Sequence, residues 1–173
     1  MANPFFLESI PDTPVGSLAL ASTQNGLAAV EIGIVDLEAW CRRKKLPAGS
    51  VLLEPGPFPL VAQFAEYFMG DRRAFDFPLD LGEVTDFQRR VYSAVLAVPY
   101  GETRTYVQIA SQLGRPGAAR AVGGANAANP LAIVVPCHRL IGADGSLRGY
   151  GAPGGTEMKA WLLRFEVIQA ARS

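Results

Sequence analysis

The chain is poor in the residues that build covalent or metal-held frameworks. Its 173 residues include two cysteines, Cys41 and Cys137, and a single histidine, His138. A disulfide framework and a four-ligand structural zinc site both need more such residues, so both are excluded. Reduced thiols are typical of cytosolic proteins, and we therefore expect a cytoplasmic location.

The chain also lacks long hydrophobic runs. No stretch approaches the roughly 18 apolar residues that a transmembrane helix needs. Residues 1–6 lack the basic and apolar regions of an export signal, and we expect no association with membranes. Hydrophobic residues make up 49% of the sequence and charged residues 18%, a composition typical of globular proteins with a buried core.

The net charge is zero, but the charges are unevenly distributed. Residues 1–84 contain 6 lysines and arginines against 11 aspartates and glutamates, whereas residues 85–173 contain 10 against 5. This asymmetry indicates either that the second half binds an anion or that two domains of complementary charge pack together. It coincides with a change in sequence pattern, which predicts two domains, 1–84 and 85–173.

The hydrophobic pattern predicts an α+β protein. The first domain is expected to be a small α/β domain with an antiparallel sheet, and its Cys41 is interpreted as structural. The second domain is expected to be mainly helical, beginning at an N-cap at Thr85. A short, glycine-containing connection between its second and third helices is typical of a helix-turn-helix. The predicted strands are 13–22, 27–33 and 75–79, and the predicted helices are 37–45, 60–69, 85–96, 106–113 and 118–127.

The last of these helices is dominated by small residues. Gly123 and Gly124 each cost about 1 kcal/mol in a helix relative to alanine, so some interaction must offset that cost. One explanation is close packing against another helix. The other is that a smooth helix enters a narrow groove, where Arg120 would take the place of a base turned out of a nucleic-acid stack.

Cys137 and His138 follow a hydrophobic run, residues 133–135, that we interpret as a buried strand. A thiol is a strong nucleophile as the thiolate, and a neighbouring imidazole is a common means of forming one. The alternative is that Cys137 is an inert buried thiol, because free cysteine is among the most buried residue types.

Taken together, these motifs resemble those of the O6-alkylguanine-DNA alkyltransferases, the methylated-DNA–protein-cysteine methyltransferases. In the first half the resemblance is limited to Thr13-Pro14-Val15-Gly16 and the turn at Gly26-Leu27. In the second half the matching motifs are Phe87-Gln88, Pro99-Tyr100-Gly101, Tyr106, Arg120-Ala121-Val122-Gly123, Asn129-Pro130, Pro136-Cys137-His138-Arg139, Gly149-Tyr150-Gly151, Lys159 and Trp161-Leu162-Leu163-Arg164-Phe165-Glu166.

The resemblance implies a catalytic group made of Cys137, His138, Glu166 and Asn129. Cys137 would accept the alkyl group from guanine O6 in one displacement, and His138 would take the thiol proton through a water molecule. Glu166 would orient the imidazole, and Asn129 would tie the helix-turn-helix to the turn that contains Cys137, called the acceptor turn below. Arg139 is expected to form a structural salt bridge. Because a thioether is stable, each molecule would act once, without a metal or organic cofactor.

The resemblance also implies binding of double-stranded DNA that contains alkylated bases, by a monomer. Arg120 would replace the extruded nucleotide, with Ala119 and Gly123 on the same helix at the minor groove. Tyr106 would rotate the 3′ phosphate and help to protonate the leaving guanine. Simpler interpretations stay open: Arg120 pairing with an acid of the first domain, Tyr106 as a core aromatic, and Glu166 as a solvated carboxylate.

The alkyl pocket would be lined by Tyr106, Leu140, Tyr150 and Gly151. Leu140 would offer a backbone carbonyl to the base, and Gly151 a backbone N–H to O6. The loop that follows is longer by about two residues, at Ala152-Pro153, than is usual in the family. This leaves open the preference between methyl and bulkier groups, and also activity on O4-alkylthymine.

Three other functions fit parts of the sequence less well. A lesion-binding relative of these proteins would lack the acceptor cysteine. A cysteine hydrolase would not usually place its histidine directly beside its cysteine. A helix-turn-helix regulator would need more polar residues on its recognition helix than residues 118–127 provide.

Overall fold

A four-stranded sheet with two helices and a separate group of four helices make up the computed structural model, which describes residues 4–34, 36–44, 46 and 50–172. The sheet belongs to the unit Met1–Gly82 and the four helices to the unit Glu83–Ser173. This arrangement confirms the predicted α+β fold class. Among the described residues, no helix combines the length and apolar character needed to cross a membrane.

The sheet of the first unit is antiparallel over three of its strands, as predicted, and parallel at the fourth. Its spatial order is β3-β2-β1-β4, and the turn between β2 and β3 is the predicted one. Strand β4 was not predicted because its two residues are too few to form a pattern, and β1 was not predicted because its apolar and polar residues do not alternate. The strands are β1 (Phe5–Ile10), β2 (Leu18–Thr23), β3 (Gly26–Ile32) and β4 (Val51–Leu52).

Two helices accompany the sheet, both at predicted positions. Helix α1 (Leu37–Lys44) contributes Trp40, which is fully buried against one face of the sheet. Lys45, the predicted last residue of α1, lies outside the described residues. Helix α2 (Leu60–Met69) has the predicted bounds and ends at Gly70, whose φ of 86° provides a left-handed cap.

Two strand predictions in this unit were wrong. The segment predicted as strand 75–79 forms only a single bridge, from Leu79 to Leu27. Phe75 and Phe77 instead place their rings in an aromatic cluster with α2, and Pro78 has no N–H to give to a ladder. The segment 13–17 is a turn, closed by a hydrogen bond from Gly16 N to Thr13 O, so the strand begins at Leu18.

The second unit contains the predicted helices, with side-chain caps at two of them. Thr85 caps α3 reciprocally with Gln88, as the sequence predicted, and Thr105 caps α4 in the same way. Helices α4 and α5 are joined by residues 113–118. The elements are α3 (Asp86–Leu96), β5 (Arg104–Thr105), α4 (Tyr106–Gln112), α5 (Ala119–Ala127), a 3-10 turn (Cys137–Arg139), β6 (Leu140–Ile141) and α6 (Gly155–Ala170).

The buried strand predicted at residues 133–135 is absent. These residues are buried, but they form turns, and Ile133 has a φ of 72°. A left-handed conformation is unusual for a β-branched residue and costs on the order of 1–3 kcal/mol. Asn129 stabilises the turn: its Nδ2 donates to Val135 O (2.9 Å), and its Oδ1 accepts from Leu131 N (2.9 Å). A short apolar run cannot distinguish such a turn from a strand.

Candidate active site

Cys137 opens the 3-10 turn between α5 and α6 of the second unit. Its side chain is buried, with 7% of the residue exposed. The pairing of β5 with β6 fixes the exit from this turn, and because α4 follows β5 directly, Tyr106 begins its helix beside the acceptor turn. Asn129 holds the entry to the turn through Val135. The turn is therefore fixed on both sides of the thiol.

His138 and Glu166 form a fully buried pair that joins the acceptor turn to α6. His138 Nε2 lies 2.8 Å from Glu166 Oε1, and both side chains have no exposed surface. A carboxylate accepts hydrogen bonds, so Nε2 carries the proton and Nδ1 has the free lone pair. No described residue hydrogen-bonds Nδ1. The sequence separates these residues by 28 positions, and folding brings them together.

Arg139 completes the surroundings of Glu166. Its Nε donates to Oε2 (2.8 Å) and its Nη2 to Oε1 (3.0 Å), while Nη1 donates to the Val98 carbonyl (2.6 Å). Gly101 N donates to Oε2 at 3.3 Å. The salt bridge predicted for Arg139 is confirmed. Glu166 is a buried carboxylate with several donors and not a solvated one.

These contacts set the protonation of the pair. Burial acts to raise the pKa of Glu166, but the hydrogen bonds from His138 and Arg139, the positive charge that His138 gains at acid pH and the charge of Arg139 outweigh it and lower that pKa to about 2. Burial lowers the pKa of His138, and the opposing effect of Glu166 does not offset it. At neutral pH, Glu166 is therefore ionised and His138 is a neutral imidazole. A neutral imidazole is the form that can accept a proton.

Cys137 itself is held in the thiol form. Burial raises its pKa, and the opposing effects of a hydrogen bond from Asn129 and the positive charge of Lys159 do not offset it. Since the thiolate is the reactive species, the site needs a base to produce it. His138 is the neighbouring residue in the chain and is in the protonation state to act as that base.

A second set of polar side chains near Cys137 consists of Tyr106 on α4 and Lys159 on α6. Lys159 Nζ lies 3.5 Å from the Tyr106 hydroxyl and 3.3 Å from the Arg148 carbonyl, and Lys159 is fully buried. Burial raises the pKa of Tyr106 and raises that of Tyr150 well above its ordinary value, and the negative charge that Cys137 carries once it ionises at high pH adds to both shifts. Both phenols thus keep their protons at neutral pH and can donate hydrogen bonds.

The remaining predicted pocket residues differ in burial. Leu140 is buried, and its N–H donates to the Cys137 carbonyl. The Tyr150 hydroxyl is buried, whereas Gly151 is exposed and a Cβ there would meet nothing within 4 Å. Among the described residues, no group of three or more His, Cys, Asp or Glu is placed to hold a metal ion.

Helix α5 presents a smooth exposed face. Arg120 and Gly124 are exposed, and Ala119 and Gly123 are half-buried. A Cβ at Gly124 would meet nothing within 4 Å, and one at Gly123 would make an ordinary contact with the Tyr106 ring at 4.0 Å. Packing within the described structure therefore does not require either glycine.

Two site residues were missed in the sequence. Asn126 lies on α5 with its side chain buried against the acceptor turn, and Lys159 was matched to a family motif but given no role. Lys159, Leu162 and Glu166 share one buried face of α6, and this helical spacing is the signal that could have identified Lys159. An asparagine inside a helix of small residues gave a weaker signal.

Known proteins match this chain over most of its length. The family model described as "6-O-methylguanine DNA methyltransferase, DNA binding domain" matches residues 86–168, and the corresponding "ribonuclease-like domain" matches residues 7–81. The methylated-DNA–protein-cysteine methyltransferase of Mycobacterium tuberculosis is 48% identical over 160 residues, which cover 92% of this chain and 91% of that protein. The protein of that name from Methanosarcina barkeri is 41% identical over 157 residues, covering 91% and 94%.

The fold is similar to that of a solved relative as well. The crystal structure of Mycobacterium tuberculosis OGT in complex with DNA superposes with a TM-score of 0.78 at 43% identity, covering 95% of this chain and 93% of that one. Both family models, the relatives and the structural match point to the same family. The chain belongs to the 6-O-methylguanine DNA methyltransferase family.

Proposed function

We propose that the protein repairs alkylated DNA by direct reversal, moving the alkyl group from guanine O6 to Cys137 Sγ. The observation that carries this proposal is the buried group formed by Cys137, His138 and Glu166. It brings together a thiol, a neutral imidazole and an ionised carboxylate. A bond forms between sulfur and the alkyl carbon as the bond from that carbon to O6 breaks. The electron pair of the broken bond passes to guanine, which gains a proton.

His138 accepts the thiol proton at Nδ1 through a bridging water. Glu166 holds the Nε2 proton and stabilises the imidazolium that forms, in the way a buried carboxylate supports a catalytic histidine elsewhere. Arg139 keeps Glu166 ionised and in place. Tyr106 retains its proton at neutral pH and helps to protonate the departing guanine.

The α4–α5 pair serves as the DNA-binding helix-turn-helix, with α5 at the minor groove. A bare exposed face at Gly124 allows close approach to a narrow groove, and Arg120 projects from the same helix into the space left by the extruded nucleotide. Minor-groove contacts discriminate poorly among base pairs, so we expect little sequence preference. Binding should weaken with salt, since phosphate contacts release counterions.

The product is a thioether, so each molecule reacts once, as a cytoplasmic monomer that needs no cofactor. The second candidate function is lesion recognition without transfer. The presence of Cys137 beside a neutral His138 favours the reactive protein. The Ala152-Pro153 extension lies in the loop before α6 and is the feature that could change the pocket width, and with it the preferred alkyl group.

Intact-mass spectrometry with a duplex carrying one O6-methylguanine tests the proposal. We expect the gain of one methyl group, located at Cys137 and complete at one equivalent of DNA. Cys41→Ser should behave like the original protein, and Cys137→Ser should gain no mass. Binding to the lesion without a gain in mass would contradict transfer and support the recognition function.

A further inference from the structure

Arg148 is an exposed arginine in the loop that joins β6 to α6, residues 142–154. Its side chain is 62% exposed, and an ion pair joins its Nη2 to Asp144 Oδ2 at 3.2 Å. A guanidinium has five N–H donors, so this pair leaves donors for another oxygen anion. An exposed ion pair contributes little to stability, and a ligand can therefore displace the carboxylate without disturbing the fold.

The first part of this loop, residues 142–146, is a compact turn that fixes Asp144. Gly142 N donates to Ser146 O at 2.8 Å, and Asp144 Oδ1 accepts from Ser146 N (3.1 Å) and Ser146 Oγ (2.6 Å). A Cβ at Gly142 would lie 2.5 Å from Asp144 Oδ1 and 3.0 Å from Arg148 Nε, so the turn requires glycine there. The turn thus sets the position of the carboxylate and, through the ion pair, that of the guanidinium.

The backbone of Arg148 is tied to the reaction site. Its carbonyl accepts from Lys159 Nζ at 3.3 Å, and the same ammonium lies 3.5 Å from the Tyr106 hydroxyl. Burial is the main influence on the pKa of Tyr106 and raises it, whereas the charge of Arg148 acts to lower it. Tyr150, two residues further along the chain, has a buried hydroxyl. Arg148 therefore lies at the solvent edge of the group of side chains around Cys137.

The proposed substrate would bring two anions to this edge. A nucleotide whose base lies beside Cys137 stays bonded to its strand, so its two phosphates remain on the solvent side of the site. Arginine binds a phosphate through two parallel hydrogen bonds, which are stronger than hydrogen bonds to an uncharged group. The guanidinium of Arg148 thus has the chemistry and the exposure to bind one of these phosphates.

We propose that Arg148 releases Asp144 when DNA binds and contacts one of the two phosphates that flank the extruded nucleotide. Arg148 is a positioning residue in this arrangement, because it holds the target strand at the site and does not touch the reacting atoms. Asp144 competes with the phosphate for the guanidinium. The proposal rests on the alkyl transfer proposed above and adds to it a contact with the backbone of the target nucleotide.

The test measures the binding of three duplexes that each carry one O6-methylguanine, with Cys137→Ser in every protein so that no transfer follows. The first duplex has an ordinary backbone. The second has uncharged methylphosphonates in place of the two flanking phosphates, and the third has them near one end. Arg148→Gln should bind the first and third duplexes about 10-fold more weakly, and its salt slope should be smaller by about one. On the second duplex the substitution should have no effect.

Arg148→Lys keeps the positive charge and should recover most of the affinity for the first duplex. Asp144→Asn should bind that duplex more tightly, because the competing carboxylate is removed. Arg164→Gln is the matched control: it removes an exposed positive charge from α6, and its affinity for all three duplexes should equal that of the original protein.

Equal weakening of all three duplexes by Arg148→Gln would show that the substitution acts through the loop or through overall charge, and it would overturn the proposal. The absence of any weakening would overturn it as well. Failure of the original protein, with Cys137 present, to accept a methyl group from the first duplex would instead refute the proposed function.

Discussion

The two units of the chain stabilise themselves by different means. In the first, Trp40 packs with Leu7, Ala19 and Ala21 in an apolar cluster, and an ion pair such as Arg42–Glu38 lies at the surface. Among the described residues, the second unit buries four acidic or basic side chains, whereas the first unit buries none. The four are His138, Arg139, Lys159 and Glu166.

Burying charge is not an efficient way to stabilise a fold. The desolvation of each ion costs several kcal/mol, and replacement of a buried pair by apolar residues is often neutral or stabilising. The apolar cluster of the first unit shows that this chain can build a core without such groups. This difference supports the proposal that the buried charged groups of the second unit serve the chemistry at Cys137.

Glu166→Gln should have the largest effect of the substitutions proposed here, on both the stability and the transfer rate of the second unit. It leaves Arg139 buried without its counterion and removes the charge that supports His138, so unfolding should become easier by about 3–5 kcal/mol. Methyl transfer should slow by about 100-fold, the lower range of a general acid–base contribution. Denaturant unfolding and single-turnover kinetics measure the two effects.

Glu38→Gln in the first unit is the control for that change. Glu38 and Arg42 form an exposed pair, with side chains 82% and 70% exposed, so the expected loss is below about 0.5 kcal/mol. Transfer should be unaffected. Comparable losses of stability in the two variants would show that burial does not distinguish the two ion pairs energetically.

Acid should destabilise the protein through the same buried pair. In the folded protein the pKa of His138 lies below its ordinary value of 6.5. As the pH falls below 6.5, the unfolded chain therefore binds a proton at this residue that the folded chain does not bind. The free energy of unfolding should fall by up to about 1.4 kcal/mol per pH unit from this group. Glu166 adds a further loss below its ordinary pKa of 4.5, as the pH approaches its folded value of about 2.

His138→Gln separates the two contributions. The chain has one histidine, so this variant should lose the decline that begins near pH 6.5. It should keep a smaller decline below pH 4.5, because His138 no longer helps to lower the pKa of Glu166 but Arg139 still does. Unfolding measured at a series of pH values gives both slopes. If the unfolding free energy falls between pH 6 and pH 5 as steeply in this variant as in the original protein, His138 takes up its proton equally in the folded and the unfolded chain.

Several parts of this structure could be predicted from local sequence. Thr85 and Gln88 define a capping box by their spacing, and helix 60–69 has an apolar periodicity and a terminal glycine. Residues 133–135 show the limit, since an apolar run reveals burial but not backbone conformation. The turn there depends on Asn129, whose side chain replaces the hydrogen bonds of a strand ladder.

The site was predictable only in the positions that match family motifs. Cys137 and His138 are adjacent, but Glu166 lies on another helix, and its pairing with His138 is a property of the fold. Asn126 was missed because its role comes from one contact with the Cys137 carbonyl, which only folding brings within reach. No sequence pattern encodes a contact of that kind.

Lys159→Met should produce the smallest of these effects and the most informative one. Lys159 is buried with two long contacts, at 3.5 and 3.3 Å, and burial lowers its pKa. Methionine has similar volume and no charge to desolvate, so stability should stay the same or rise by about 1 kcal/mol. Transfer should nevertheless slow by about 10-fold, because the Cys137 thiolate loses a nearby positive charge.

Arg164→Met on the exposed side of α6 is the matched control, since it removes one positive charge from the same helix. Its stability should change by less than about 0.5 kcal/mol, and its transfer rate should not change. An opposite response of stability and rate in Lys159→Met alone would assign the buried ammonium to catalysis. A loss of stability in Lys159→Met with an unchanged rate would instead make Lys159 a structural link between α6 and the Arg148 carbonyl, and the second unit would then contain a buried charge that serves its fold.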